Sequence, residues 1–119
     1  MIKAPIGENE AARLDHLFKL NILDTPAEDA YDNLVKLAAS IAGCPISLIS
    51  IVGVERQWFK SSFGLDASET ARDISFCGHA IEAGNEIFEV QDATKDLRFF
   101  DNPLVSGSPN ISSYAGQPL

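Results

Sequence analysis

Cysteine, histidine, methionine and tryptophan are all scarce in this chain: 2, 2, 1 and 1 among 119 residues. Two cysteines, Cys44 and Cys77, are too few for a disulfide framework and form no Cys-x-x-Cys pair. They read as reduced, partly buried thiols of a cytoplasmic protein. Basic residues are outnumbered, 9 Lys and Arg against 17 Asp and Glu, for a net charge of −8. That balance argues against binding nucleic acid or an anionic membrane through bulk charge. No basic run leads into an apolar stretch at the start, so no secretory signal is expected. There is no glycine-rich phosphate loop, no G-x-S-x-G elbow, and no carboxylate pair whose spacing singles out acid–base hydrolysis. Internal repeats and low-complexity tracts are also missing. What remains is ordinary globular usage, 45% hydrophobic and 22% charged. It suits a single domain over residues 1–119 with a modest core.

The most apolar stretch runs from Leu37 to Val54, with no charge between Lys36 and Glu55. Its length invites a membrane span, but Gly43 and Pro45 interrupt it and Ser40, Ser47 and Ser50 dilute it. No membrane insertion is expected. The better reading is a helix end, a glycine stop and then a strand at about 45–52, opened by Pro45. Ile46, Leu48, Ile49, Ile51 and Val52 supply the side chains of a buried strand at the heart of the domain.

Before it, residues 8–20 predict a helix with Ala11, Leu14, Leu17 and Phe18 on one face and Asn21 as a stop. Thr25-Pro26-Ala27-Glu28 has the form of a capping box with proline at the first helical position. Tyr31, Leu34, Val35, Ala38, Ile41 and Ala42 then give a buried stripe that Gly43 closes. Beyond the apolar strand, residues 53–56 predict a turn. Residues 57–64 predict a second, antiparallel strand with Phe59 and Phe63 on one face. Residues 64–73 read as a polar loop, and 75–84 as a short helix that Ser75 caps and Gly84 ends. Residues 86–92 form a third strand, 92–110 an irregular lid with turns at Asp96 and Asn102-Pro103, and 111–119 a fourth strand. The expected fold class is α+β. Helices cover one face of an antiparallel sheet, and the short helix with the lid covers the other.

Four segments carry a family resemblance: the run from Asn9 to Leu65, then ISFCGHAI, VQDATKDLRFFDNPLV and ISSYAGQPL. In order and spacing they resemble the GAF domains that stand before bacterial sensor histidine kinases and diguanylate cyclases. The resemblance implies a PAS-related sensory fold in two-component or cyclic di-GMP signalling. It also implies a homodimer and an output kinase or cyclase domain in a longer parent chain. Such domains usually continue past the YAGxPL segment with a further strand beside strand one and a closing helix. This chain lacks them, so strand one is expected to expose an unpaired apolar edge, and the chain to dimerise, exchange elements or be marginally stable.

Within that frame a small molecule is expected between sheet and lid, lined by Phe63, Cys77, His79, Asp92, Arg98, Phe99, Asn102 and Tyr114. Arg98, Asp92 or Asn102 could orient a polar ligand; equally, Asp and Asn cap turns, and Arg98 can pair with a nearby carboxylate. Cys77 and His79, two apart on a helix, point to different sides and cannot easily share an ion, so no metal and no cofactor are expected. Nor is an enzyme expected. A ligand-free docking module is the alternative, favoured by a tightly filled space among Phe63, Cys77, His79, Phe99 and Tyr114. A lesser one is a thiol-dependent reductase of free methionine sulfoxide, with only Cys44 and Cys77 to work with.

Overall fold

The computed structural model describes all residues, Met1–Leu119. The fold is α+β with antiparallel sheets. Contacts divide it into two units: Glu8–Thr70, and Ala71–Leu119 together with Met1–Gly7. The strands fall into two sheets, not one.

The unit Glu8–Thr70 opens with helix α1, Glu10–Lys19, none of whose residues is fully buried. Asn21 ends it in the left-handed region at φ 51°. Helix α2 spans Asp29–Ala42. Gly43 stops it at φ 66°, with its N–H on the Ala39 carbonyl, as a left-handed glycine cap should. The expected capping box does not form. Glu28 takes the N-cap position in an extended conformation and makes no side-chain cap bond. The reason is Lys60, whose ammonium binds the Thr25 hydroxyl, the Pro26 carbonyl and the Glu28 carboxylate, each at 2.7 Å.

The buried line of α2 also differs from expectation. Val35 and Ala39 are buried, whereas Leu34, Leu37 and Ile41 are 55%, 56% and 78% exposed. Each residue turns the helix by about 100°, so the helix rests on Val35 and leaves Leu34 to one side. Both lie in one broad apolar arc, and spacing alone does not say which half faces the sheet.

Strand β1, Ser47–Val52, pairs antiparallel with β2, Arg56–Phe63. The Gly53 N–H closes the turn on the Arg56 carbonyl at 2.8 Å. At the end of β2, Gly64 has φ 78°, and an added Cβ would meet the Pro45 carbonyl, so only glycine fits. The register slips between Ile49 and Ser50: they face Ser61 and Phe59, and Lys60 is left without a partner on β1. That extra residue is a bulge, and it reverses the alternation beyond it. Phe59 pairs with Ser50 and Phe63 with Ser47, positions of opposite parity, so the two phenylalanines sit on opposite faces, contrary to the simple alternation. Strand β3, Glu69–Ala71, borders β2 within the stretch read as a loop. Its polar sequence carries no strand signal; the Gln57 amide reaches the Thr70 hydroxyl at 3.0 Å and helps hold it. In this sheet β1 has a neighbour on one side only, and of its six residues only Val52 is buried.

The second unit is built from short pieces. Helix α3, Phe76–Ala80, starts at Ser75, whose hydroxyl accepts the Gly78 N–H as predicted. Strand β4, Phe88–Val90, pairs antiparallel with β5, Tyr114–Gly116. Helix α4, Pro103–Ser106, occupies part of the expected irregular lid, with Asn102 as its cap. The apolar core cluster is here: Phe76, Val90, Ala93, Phe99 and Val105, with Phe88, Ile111 and Tyr114 against it. The strand expected at the heart of the domain is a half-buried sheet edge instead.

Candidate functional site

Five of the eight expected ligand-lining residues, Cys77, His79, Arg98, Phe99 and Tyr114, lie together in the second unit. The Cys77 Sγ is 3.2 Å from the Tyr114 hydroxyl. The Tyr114 ring tilts against Phe76 with centroids 5.2 Å apart, and Phe76 stacks on Phe99 at 4.1 Å. His79 meets the Phe99 ring edge-on at 4.9 Å. Phe88 closes the circuit, lying near His79, Phe99 and Tyr114 at 6.1 to 6.4 Å. Phe76 and Phe88 are the members that site reasoning missed, because both read simply as core positions. Rings in offset and edge-on contact at these separations attract beyond their area burial.

Arg98 joins the cluster from above the rings. Its guanidinium carbon sits 5.1 Å from the Phe88 centroid and 5.2 Å from that of Phe99, within cation–π range. Asp96 holds it in place through two bonds, Nε to Oδ1 at 2.9 Å and Nη2 to Oδ2 at 2.7 Å. That pairing depresses the Asp96 pKa and raises that of Arg98. The side chain remains 39% exposed, so a planar cation sits over an aromatic floor with one side to water.

Burial lowers the His79 pKa, an effect partly opposed by the Ile2 carbonyl, which lies 3.0 Å from Nε2. A neutral ring donating from Nε2 suits that carbonyl. Burial also pushes the Tyr114 phenol well above its ordinary range, and Cys77 adds to the effect. Tyr114 is therefore a neutral hydroxyl across the working pH range.

The remaining candidates sit elsewhere. Asn102 is 2% exposed; its Nδ2 donates to the Ile74 carbonyl at 3.0 Å and its Oδ1 accepts the Leu104 N–H at 2.9 Å. Asp92 is exposed and accepts the Thr94 N–H at the start of the 3₁₀ turn Ala93–Lys95. Asn102, Asp92 and Arg98 thus make the local contacts that the alternative reading assigned them. Phe63 belongs to the unit Glu8–Thr70 and is 39% exposed. Cys44 and Cys77 are both free thiols, one exposed and one partly buried. No three His, Cys, Asp or Glu side chains converge as metal ligands would. No helix is long and apolar enough to cross a membrane.

No family model matches the chain. Along its whole length it is 44% identical to a cyclic di-GMP phosphodiesterase of Pseudomonas aeruginosa, of which it spans 20%. This match overturns the expectation that the chain is not an enzyme, because the relative is named as one. The expectation had rested on the lack of catalytic spacings within these 119 residues, whereas four fifths of the relative lies outside the matched segment. The match also links the chain to proteins of cyclic di-GMP signalling.

Proposed function

We propose that the chain is a GAF-type sensory segment of a longer cyclic di-GMP signalling protein, where it binds a small molecule and regulates turnover of the dinucleotide. The observation carrying this reading is the match, without remainder, to one fifth of a cyclic di-GMP phosphodiesterase. It favours a phosphodiesterase as the output in place of the kinase or cyclase expected. The site supports the reading chemically. Phe88 and Phe99 offer an apolar floor, and Arg98, pre-oriented by Asp96, offers a donor fork to an anionic or carbonyl group. Ligand binding would shift the population of segment conformations, and that shift would reach the output.

Native mass spectrometry on a full-length protein carrying this segment tests the reading. The expected result is one retained small molecule per segment, lost in Arg98→Ala, together with altered cyclic di-GMP hydrolysis. No retained mass and unchanged hydrolysis in Arg98→Ala overturn it. A ligand-free docking module is the second reading. In its favour, Cys77, His79, Phe99 and Tyr114 fill the space among themselves together with Phe76 and Phe88.

A further inference from the structure

The residues ahead of helix α1 belong by their contacts to the second unit, where Met1–Gly7 lie with Ala71–Leu119. They form no helix or strand and run as a strap along one side of the aromatic site. The Ile2 N–H donates to the Arg98 carbonyl at 3.0 Å. The Ile2 carbonyl meets Nε2 of His79 at 3.0 Å. Lys3 pairs with Asp73 at 3.0 Å. Ala4 then passes Gly78, where an added Cβ would lie 3.4 Å from the Ala4 Cβ. Gly7 passes Glu82, whose carboxylate a Cβ on Gly7 would strike. The strap therefore crosses α3 from Arg98 to Glu82.

Little apolar burial holds it there. Ile2 and Ile6 are 52% and 62% exposed, and both partners of the Lys3–Asp73 pair are open to water. An ion pair so exposed contributes little. A segment with few buried apolar contacts opens locally at a small fraction of the cost of global unfolding. What the strap does hold are groups of the site itself. A carbonyl only accepts, so Nε2 of His79 is the donor to Ile2. His79 meets the edge of Phe99, and the Arg98 guanidinium lies over the same ring, so two donors flank one aromatic surface. The Arg98 fork is half open to water, and the strap occupies the His79 donor.

We propose that Ile2–Gly7 is a displaceable strap whose Ile2 carbonyl holds, on His79, the position that a ligand's carbonyl, carboxylate or phosphoryl oxygen takes when the strap lifts. Strap and ligand oxygen compete for one N–H, so each excludes the other. The closed strap lowers the fraction of chains able to bind, and the apparent affinity falls by the same factor. Displacement exchanges one acceptor for another at His79. The Arg98 fork, fixed by Asp96, then grips the rest of the same polar group. This inference deepens the sensory reading and rests on it for the existence of a ligand.

Acylation by diethylpyrocarbonate at neutral pH tests it, on a full-length protein carrying this segment and mapped residue by residue by mass spectrometry. His16, exposed on α1, is the internal reference. His79 should react at least about tenfold more slowly than His16 while the strap is closed. Deleting residues 2–7 should raise the His79 rate at least about fivefold and leave His16 unchanged. If the deletion unfolds the segment, Lys3→Asp decides: it sets like charges together at Asp73 and should raise the His79 rate about twofold. In native mass spectrometry of whichever variant is folded, the retained small molecule should survive greater dilution than in the parent. An unchanged His79 rate in the folded variant, or a molecule lost as readily from variant as from parent, overturns the inference and leaves the sensory reading standing. No retained molecule in either form defeats the sensory reading, and this inference falls with it.

Discussion

The two units hold themselves together by different chemistry. In Ala71–Leu119 the centre is aromatic: Phe99, 1% exposed, is stacked on Phe76 and met by His79 and Phe88. Its short elements are tied by side-chain caps at Ser75, Asp92 and Asn102. In Glu8–Thr70 the elements are long and regular, and the buried apolar residues Val35, Ala39, Val52, Trp58 and Phe59 share the interior with a polar row on β2. Gln57, Lys60 and Ser61 on β2 are each 4% exposed. Lys60 ties the approach to α2, and Ser61 ties α2 itself through Asp32 at 2.5 Å. One unit is thus centred on stacked rings, and the other on a helix tied to its strand by buried polar groups as well as apolar ones. The unit with the longer helices leaves Leu34, Leu37 and Ile41 exposed, and the unit of fragments gathers its rings into one cluster.

The contrast can be broken or sharpened by substitution. Phe99→Ala should have the largest effect, about 3–5 kcal/mol, because it opens a cavity under Phe76, His79 and Arg98. Urea denaturation measures this; a loss below about 1 kcal/mol would mean that the rings are not what holds the second unit. Lys60→Met should cost about 2 kcal/mol by leaving the Thr25 hydroxyl and the Pro26 carbonyl without a donor. An unchanged or raised denaturation midpoint would show that a hydrocarbon serves the bulge as well as the ammonium does, and the contrast between units would fade. Asn102→Ala should remove about 1–2 kcal/mol with the α4 cap and the Ile74 bond, while Asn102→Asp should recover the cap alone. Equal losses in both variants would count against the cap.

The smallest expected effect is on pH dependence. Burial holds the folded His79 pKa below its ordinary 6.5, so the unfolded chain takes up the proton first. Stability is then full above about pH 6.5 and declines as pH falls through the window between the unfolded and folded values. Asp96, held low by Arg98, works in the same direction in a lower window: its contribution is present above its ordinary 3.8 and is lost as pH falls through the folded value. His79→Gln should flatten the decline just below neutrality and leave the acid limb in place. A slope unaltered by His79→Gln would place the titrating group elsewhere.

Several features were legible in the sequence. The Gly43 stop, the Ser75 cap and the turns at Asp96 and Asn102 depend on a residue and its immediate neighbours, and each is found where the residues predicted it. The aromatic candidates Phe99 and Tyr114 lie within one ring cluster, linked through Phe76. The Thr25 capping box failed because a lysine 35 positions away claimed its hydroxyl. The shared face of Phe59 and Phe63 failed at a bulge that only strand pairing defines.

The chain's own residues determined its class, the Gly43 stop, the Ser75 and Asn102 caps and the apolar character of β1, because each follows from backbone preference and spacing over a few residues. Folding in three dimensions decided which half of the α2 arc is covered, that Lys60 would be buried among three oxygens, and that the core would gather around Phe99 in place of Ile49. Those outcomes depend on which distant surfaces meet, and local periodicity is the same whichever surface arrives.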